Sequence, residues 1–311
     1  MEDKKIAVVG IGGVGGYLAG MLGAAYPGQV TFAARGERAE LLKEKGLVLH
    51  SEVHGEVYAK PRKVVGAQEL EEQDYIFLCV KNYSLTEVCE QIRPAVGAHT
   101  MVIPVMNGVD PAQRVRSLLG RGIVADAVIY IVAFAEADAS ITQQGDFTWL
   151  RAGIKDADEA QRRALSDLSE ILTGAGIDHL VTDEIELEVW LKYILNCAYN
   201  VASAAYDNSM GQLKEDPKKA REYECLIEEA YEVARSKGVP VLPEHKKEFV
   251  RRFYEDYRYD ATSSLQRDIN AGRPAEIDTF SGYLLREAKR LGVPVPVSEK
   301  MFALLKDRIR P

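Results

Sequence analysis

The chain has 311 residues, of which 47% are hydrophobic and 28% charged. That composition builds a large core and excludes disordered, collagen-like and low-complexity architectures, and about twice the usual ~150-residue domain makes two domains the natural expectation. The net charge of −8 comes without a basic block, which argues against nucleic acid or an anionic membrane as a partner.

Residues 184–311 hold 22 acids against 21 bases, whereas residues 1–183 hold 25 against 18. An anionic ligand on the first part would therefore be held by local geometry and not by overall charge. No apolar run approaches the ~20 residues of a membrane helix. The N-terminal Met1, Glu2, Asp3, Lys4 and Lys5 lead straight into a strand-like run without the hydrophobic region of a secretion leader, so a cytoplasmic protein is expected. Cys79, Cys89, Cys197 and Cys225 form no Cys-x-x-Cys pair and read as reduced thiols.

Taken in chain order, Ile6–Val9 is predicted to be a buried strand, 17–25 a helix, 30–34 a second strand, and 75–80 and 101–105 two more. Continuous β-branched and aromatic runs of this kind suit a sheet covered on both faces, and their alternation with helices implies a doubly wound, mostly parallel sheet. Residues 123–154 read as several strands in succession, an antiparallel edge. From 184 onward the texture becomes helical, with predicted helices over 184–205, 217–237, 243–257, 262–271 and 275–291. Gly-Val-Pro at 238–240 and Gly-Val-Pro-Val-Pro at 292–296 break them. The expected division is 1–183 for a Rossmann-type α/β domain and 184–311 for an all-α domain.

Gly10-Ile11-Gly12-Gly13-Val14-Gly15 follows the first strand and opens the first helix. In that setting Gly10 permits the tight turn, Gly12 lets backbone approach a pyrophosphate, and Gly15 lets helix and strand pack closely. The helix N-terminus then offers N–H groups and partial positive charge to phosphates. The second strand ends in Arg35 and not in the acidic residue that would hold an NAD ribose. A guanidinium suits a 2′-phosphate, so NADPH is the expected cofactor; Glu37 is the other candidate for the acidic role.

Two further strand ends are polar: Lys81-Asn82, and Asn107-Gly108. Lys81 offers an ammonium to an anion and Asn107 a donor and an acceptor, although each also suits a turn. Lys192, Asn196 and Asn200 recur at i, i+4 and i+8, which places an ammonium and two carboxamides on one face of an otherwise apolar helix. Buried polar groups need partners, and a polar substrate would supply them; a stripe facing solvent is the alternative. Thr262 or Ser263 is expected to cap a helix; Pro274 would open the next one and place Glu276 in its first turn. His50 and His54 read as ordinary histidines in a strand-like segment, and no metal motif is present.

Together the Gly10-x-Gly12-x-x-Gly15 loop, Lys81, Asn107-Gly108, the Lys192-x3-Asn196-x3-Asn200 helix, and Ser264 followed by Glu276 resemble the ketopantoate reductase (2-dehydropantoate 2-reductase) family over nearly the whole chain. The resemblance implies a Rossmann domain followed by an all-helical domain like that of 6-phosphogluconate dehydrogenase. It implies NADPH-dependent reduction of ketopantoate to (R)-pantoate, a step toward pantothenate and coenzyme A. It further implies Lys192 as general acid, Glu276 as its assistant and a substrate contact, and Asn196, Asn200 and Ser264 on the substrate. Lys81 and Asn107 would line the cleft near cofactor and substrate, with Gly10, Ile11, Gly12, Gly13, Val14, Gly15 and Arg35 on the cofactor. Residues 206–212 lack the Thr-rich loop expected of family members, and the aromatic run at 253–259 is unusual; both bear on substrate identity. A reductase of another small 2-oxo acid and a non-catalytic NADPH sensor are the alternatives. A homodimer is among the expectations that one chain leaves open.

Overall fold

The computed structural model describes residues 4–309; Met1–Asp3, the start of the run read as lacking a leader, and Arg310 and Pro311 lie outside them. The chain divides into two compact units between Glu186 and Leu187.

The first unit opens β1 (Ile6–Val9), α1 (Gly13–Ala25), β2 (Val30–Ala33) and α2 (Gly36–Lys45), followed by a hairpin of β3 (Leu47–Ser51) and β4 (Gly55–Ala59). Next come β5 (Lys63–Val65), β6 (Gln73–Leu78), α3 (Leu85–Ile92), β7 (Val96–Pro104), α4 (Pro111–Leu119) and β8 (Ile123–Val124). The unit closes with β9 (Asp126–Ala135), β10 (Ile141–Gly153), α5 (Glu159–Gly174) and β11 (His179–Val181).

Six of these strands form a sheet in the order β5-β2-β1-β6-β7-β8, with each pair parallel. Alternate residues of the same strand enter two different cores. Ile6, Val8, Tyr75, Phe77 and Ile103 pack with α1, whereas Ala7, Val9, Ile76, Leu78 and Val102 pack with α3 and α4. A strand buried on both faces carries apolar residues without alternation, as the sequence shows here. Strand order reverses between β1 and β6, the switch point beyond whose carboxyl ends ligands bind in open α/β sheets.

The expected antiparallel run at 123–154 does contain an antiparallel pair, β9 with β10. That pair is not an edge of the parallel sheet. It belongs to a second, five-stranded sheet in which β10 also pairs with β3 and β11. The β3–β4 hairpin buries Leu47, Leu49, Ser51 and Ala59 at a period of two, so these short strands carry a pattern too brief to stand out. His50 lies in β3 opposite Glu56, while His54 sits in the turn against the Tyr17 hydroxyl (3.1 Å).

The second unit is helical. It comprises α6 (Ile185–Tyr206), whose first two residues precede the division, α7 (Met210–Glu215), α8 (Pro217–Ser236), α9 (Pro243–Glu255) and α10 (Ser264–Asn270). A π turn (Asp278–Gly282) then leads into α11 (Tyr283–Leu291), and α12 (Pro296–Arg308) follows. Helices α7 and α12 were not anticipated. The second Gly-Val-Pro run works as the interval between helices: Gly292 takes φ +69° at the end of α11, and Pro296 opens α12. Glu229 on α8 caps α12 from a distance, accepting the N–H groups of Val297 (2.8 Å) and Ser298 (2.7 Å). Among the described residues no helix is long and apolar enough to cross a membrane.

One expected element starts late. Pro274 does not open a helix and Glu276 is not in a first turn, because α10 ends at Asn270, Gly272 turns the chain at φ +64°, and residues 273–276 run without regular structure. The helix begins beyond Glu276, whose carbonyl accepts the Thr279 N–H (3.1 Å).

Candidate active site

In the first unit every sequence-predicted ligand residue lies just beyond the carboxyl end of a strand of the parallel sheet. The glycine loop follows β1, Arg35 follows β2, Lys81 follows β6 and Asn107 follows β7. The glycines there serve different ends. Gly10 takes φ +90°, and a Cβ on it would stand 2.9 Å from the Cys79 carbonyl oxygen. A Cβ on Gly15 would stand 2.0 Å from the Gly10 carbonyl oxygen, and one on Gly13 2.3 Å from the Ala133 carbonyl oxygen. These three residues are glycine because the fold itself leaves no room.

Gly12 is different. Its backbone is extended (φ −94°, ψ −157°), which any residue adopts, and a Cβ on it would meet nothing within 4 Å. The protein alone does not explain this glycine, whereas a pyrophosphate brought close to the loop does. Gly12 is also the N-cap residue of α1 and places no side chain over the first-turn N–H groups, which a helix N-terminus offers to an anion. Ile11 is buried in the core and Val14 packs against it, so both offer backbone and not side chain to a ligand. The loop thus fits a dinucleotide.

Arg35 is exposed at the N-cap of α2, ahead of Gly36 at φ +62°, and Glu37 is exposed one residue further on. Arg38, one turn along, instead donates to the Glu136 carbonyl (2.6 Å) between β9 and β10. Lys81 is half-buried at the start of a short turn. The buried Asn82 ties two strand ends together: its Nδ2 donates to the Asn107 carbonyl (2.9 Å), and its Oδ1 accepts from Arg114 (3.1 Å). The sequence marked Asn82 only as part of a polar strand end and gave no sign of Arg114. Gly108 at φ +105° makes the Asn107-Gly108 turn obligatory, so the turn is structural whatever else Asn107 does.

In the second unit, α6 buries Val189, Trp190, Tyr193, Ile194, Cys197 and Ala198, which fixes the adjacent stripe of Lys192, Asn196 and Asn200. The stripe is connected. Asn200 Nδ2 donates to Asn196 Oδ1 (3.1 Å), while Asn200 Oδ1 accepts from Ser264 Oγ (3.1 Å) and from the Leu265 N–H (3.3 Å). Asn200 is therefore both a link in the stripe and a fastener for the start of α10. Beside it the buried hydroxyls of Ser203 and Ser263 meet at 2.7 Å, and Ser263 caps α10 by accepting the Gln266 N–H (3.1 Å).

Lys192 is half-buried and Glu276 is buried, 7% exposed. Removal from water pushes the Lys192 ammonium down from its ordinary 10.5 to about 8, and the nearby Glu276 carboxylate opposes that shift without cancelling it. Burial thus outweighs the carboxylate, a balance the sequence did not disclose. An ammonium titrating near 8 is mostly protonated at neutral pH and gives up its proton readily, which is what a general acid requires.

The glycine loop and polar strand ends of the first unit, and in the second a desolvated lysine heading a row of asparagines on a largely buried helix, are each features of a dehydrogenase-type oxidoreductase. Residues 6–154 match the family model described as ketopantoate reductase PanE/ApbA, and residues 184–308 match that of its C-terminal part. The chain belongs to the ketopantoate reductase family. It is 30% identical over 301 residues to an uncharacterized oxidoreductase, YkpB, of Bacillus subtilis, covering 97% of each. It is 28% identical over 324 residues to a 2-dehydropantoate 2-reductase of Mesorhizobium japonicum, again over 97% of each. Among solved structures, a PanE/ApbA family ketopantoate reductase from Ralstonia eutropha JMP134 is 27% identical with a TM-score of 0.88 over 98% of both chains.

Proposed function

We propose that this chain is an NADPH-dependent reductase of a short 2-oxo acid, 2-dehydropantoate, yielding pantoate. Residues up to 183 carry the cofactor and those from 184 onward the substrate and the acid group. The observation that carries this proposal is Lys192, an ammonium lowered to about 8 beside a buried Glu276, one turn of α6 from Asn196. A bound reduced nicotinamide would supply the hydride.

The chain's own residues supply the rest. Gly10–Gly15 cradle the pyrophosphate on backbone N–H groups, and Arg35 grips the 2′-phosphate. Lys192 Nζ donates its proton to the ketone oxygen as negative charge builds there, a stabilisation that is greatest in the transition state. Glu276 keeps that amine charged and meets the substrate. Asn196 and Ser264 hold the carboxylate and hydroxyl ends, with Asn200 joining the two by hydrogen bonds. Lys81 and Asn107 flank cofactor and substrate. Fixing the acid in this way separates it from competing geometries and repeats the same approach at every turnover.

The test is oxidation of NADPH and of NADH with 2-dehydropantoate and a panel of aliphatic and aromatic 2-oxo acids. Highest kcat/KM for 2-dehydropantoate with NADPH is expected. A different best 2-oxo acid would leave the chemistry standing and replace the substrate. Tight NADPH binding without turnover of any 2-oxo acid would overturn the proposal in favour of a sensor.

A further inference from the structure

The face of α6 next to the polar stripe carries Tyr193 and Cys197, and both reach one atom. Tyr193 Oη donates to the Phe280 carbonyl (2.6 Å), and Cys197 Sγ approaches the same carbonyl at 3.7 Å. Phe280 lies in the π turn, where the Tyr283 N–H bonds the Asp278 carbonyl five residues back and not four. Such turns are rare and concentrate at functional sites.

This turn is built from several sides. A Cβ on Gly282 would stand 2.1 Å from Asp278 Oδ1 and would push that exposed carboxylate aside. Arg286 clamps that Asp278 carboxylate with both amino groups (2.7 and 3.0 Å). Tyr193 is fully buried and wedged edge-on against Trp190 and Tyr283, with centroids 5.4 and 5.7 Å away. Its hydroxyl is thus aimed by packing. Glu276 lies just ahead of the turn, four residues before Phe280, in a stretch with no regular structure of its own. Lys192 is the residue immediately before Tyr193.

We propose that Tyr193 is a positioning residue: by holding the Phe280 carbonyl it fixes the π turn, and through it the Glu276 carboxylate relative to Lys192. One side chain on α6 thereby sets the spacing of an acid and its assistant that lie on different segments. The inference deepens the proposed role of Lys192 and rests on it.

Tyr193→Phe keeps the ring packing and removes the hydroxyl. It is expected to lower kcat for the 2-oxo acid by about 10- to 100-fold, the scale of a small misplacement at a reacting centre, with KM for NADPH unchanged. A second readout needs no turnover: competitive acetylation of Lys192 by acetic anhydride across pH, read by peptide mass spectrometry. A less well held Glu276 raises the Lys192 pKa less, so the profile of Tyr193→Phe is expected to lie at lower pH than that of the parent. Gly282→Ala displaces the Asp278 carboxylate and its Arg286 clamp on the π turn without touching α6 and is expected to move the profile the same way, which keeps the test available if Tyr193→Phe does not fold. Profiles matching the parent in whichever variants fold would overturn the inference, even if kcat fell. If the parent turns over no 2-oxo acid, the proposed function fails while the labelling profile still tests Tyr193.

Discussion

Replacing Gly12 and Gly15 separately with alanine distinguishes a glycine kept for a ligand from one kept for the fold. A Cβ on Gly15 would stand 2.0 Å from the Gly10 carbonyl oxygen and 2.9 Å from Cys79 Cβ. Backbone must shift, and overpacking of that kind costs roughly 1–3 kcal/mol, or about 2–12 °C in Tm for a domain of this size. A Cβ on Gly12 meets nothing within 4 Å on extended backbone. Alanine there loses roughly 0.5 kcal/mol as a poorer N-cap and regains a similar amount by restricting the unfolded chain, so stability is expected to hold. The new methyl occupies the space given to the pyrophosphate. Lengthening one charge-assisted hydrogen bond, at ~1.5–3 kcal/mol, weakens NADPH binding by about 10- to 100-fold. Thermal melting and calorimetric titration of NADPH measure both quantities. The glycine loop would be misassigned as a cofactor site if Gly12→Ala bound NADPH like the parent, or lost as much Tm as Gly15→Ala.

Arg35→Ala is expected to raise KM for NADPH at least tenfold while leaving use of NADH nearly unchanged; steady-state kinetics with both cofactors decide it, and equal losses would place Arg35 elsewhere. Lys192→Met is expected to lower kcat by about 10²–10⁴-fold and, at pH 7, to raise Tm. The folded pKa of about 8 lies below the ordinary 10.5, so the cost of burying the charge is fully present below pH 8 and is relieved as pH rises from 8 to 10.5. Its upper bound is roughly 3 kcal/mol; a Tm advantage that persists unchanged at pH 10.5 would contradict this origin. Glu229→Ala strips the cap from α12 and is expected to cost roughly 1.5–3 kcal/mol in denaturant unfolding, whereas a cost near zero would show that water replaces the carboxylate.

The parallel sheet was readable because its strands are buried on both faces. Ile6–Val9 and Tyr75–Leu78 show unbroken apolar runs, and these runs coincide with strands in the structure. The second sheet was not, because β3 and β4 alternate over only five residues each and pair partly with the distant β10. Helix α6 and its polar stripe were legible at i, i+4, i+8, since that pattern is local. The links from Asn200 to Ser264 and from Tyr193 to Phe280 span 64 and 87 residues, and no spacing rule announces them. Glu276 was singled out for a helix first turn and instead sits ahead of a π turn, a geometry without a sequence signature. The balance between desolvation and Glu276 at Lys192 depends on three-dimensional packing, which no local pattern encodes.

The most direct measurement is the pH dependence of kcat/KM for 2-dehydropantoate at saturating NADPH, in the parent and in Glu276→Gln. A protonated Lys192 as proton donor predicts a plateau at neutral pH and a tenfold fall per unit above about 8. Without the carboxylate that opposes desolvation, the fall should begin at lower pH in Glu276→Gln. A rate that rises through pH 8, or one that stays level to pH 10 in both proteins, would contradict Lys192 as the source of the proton.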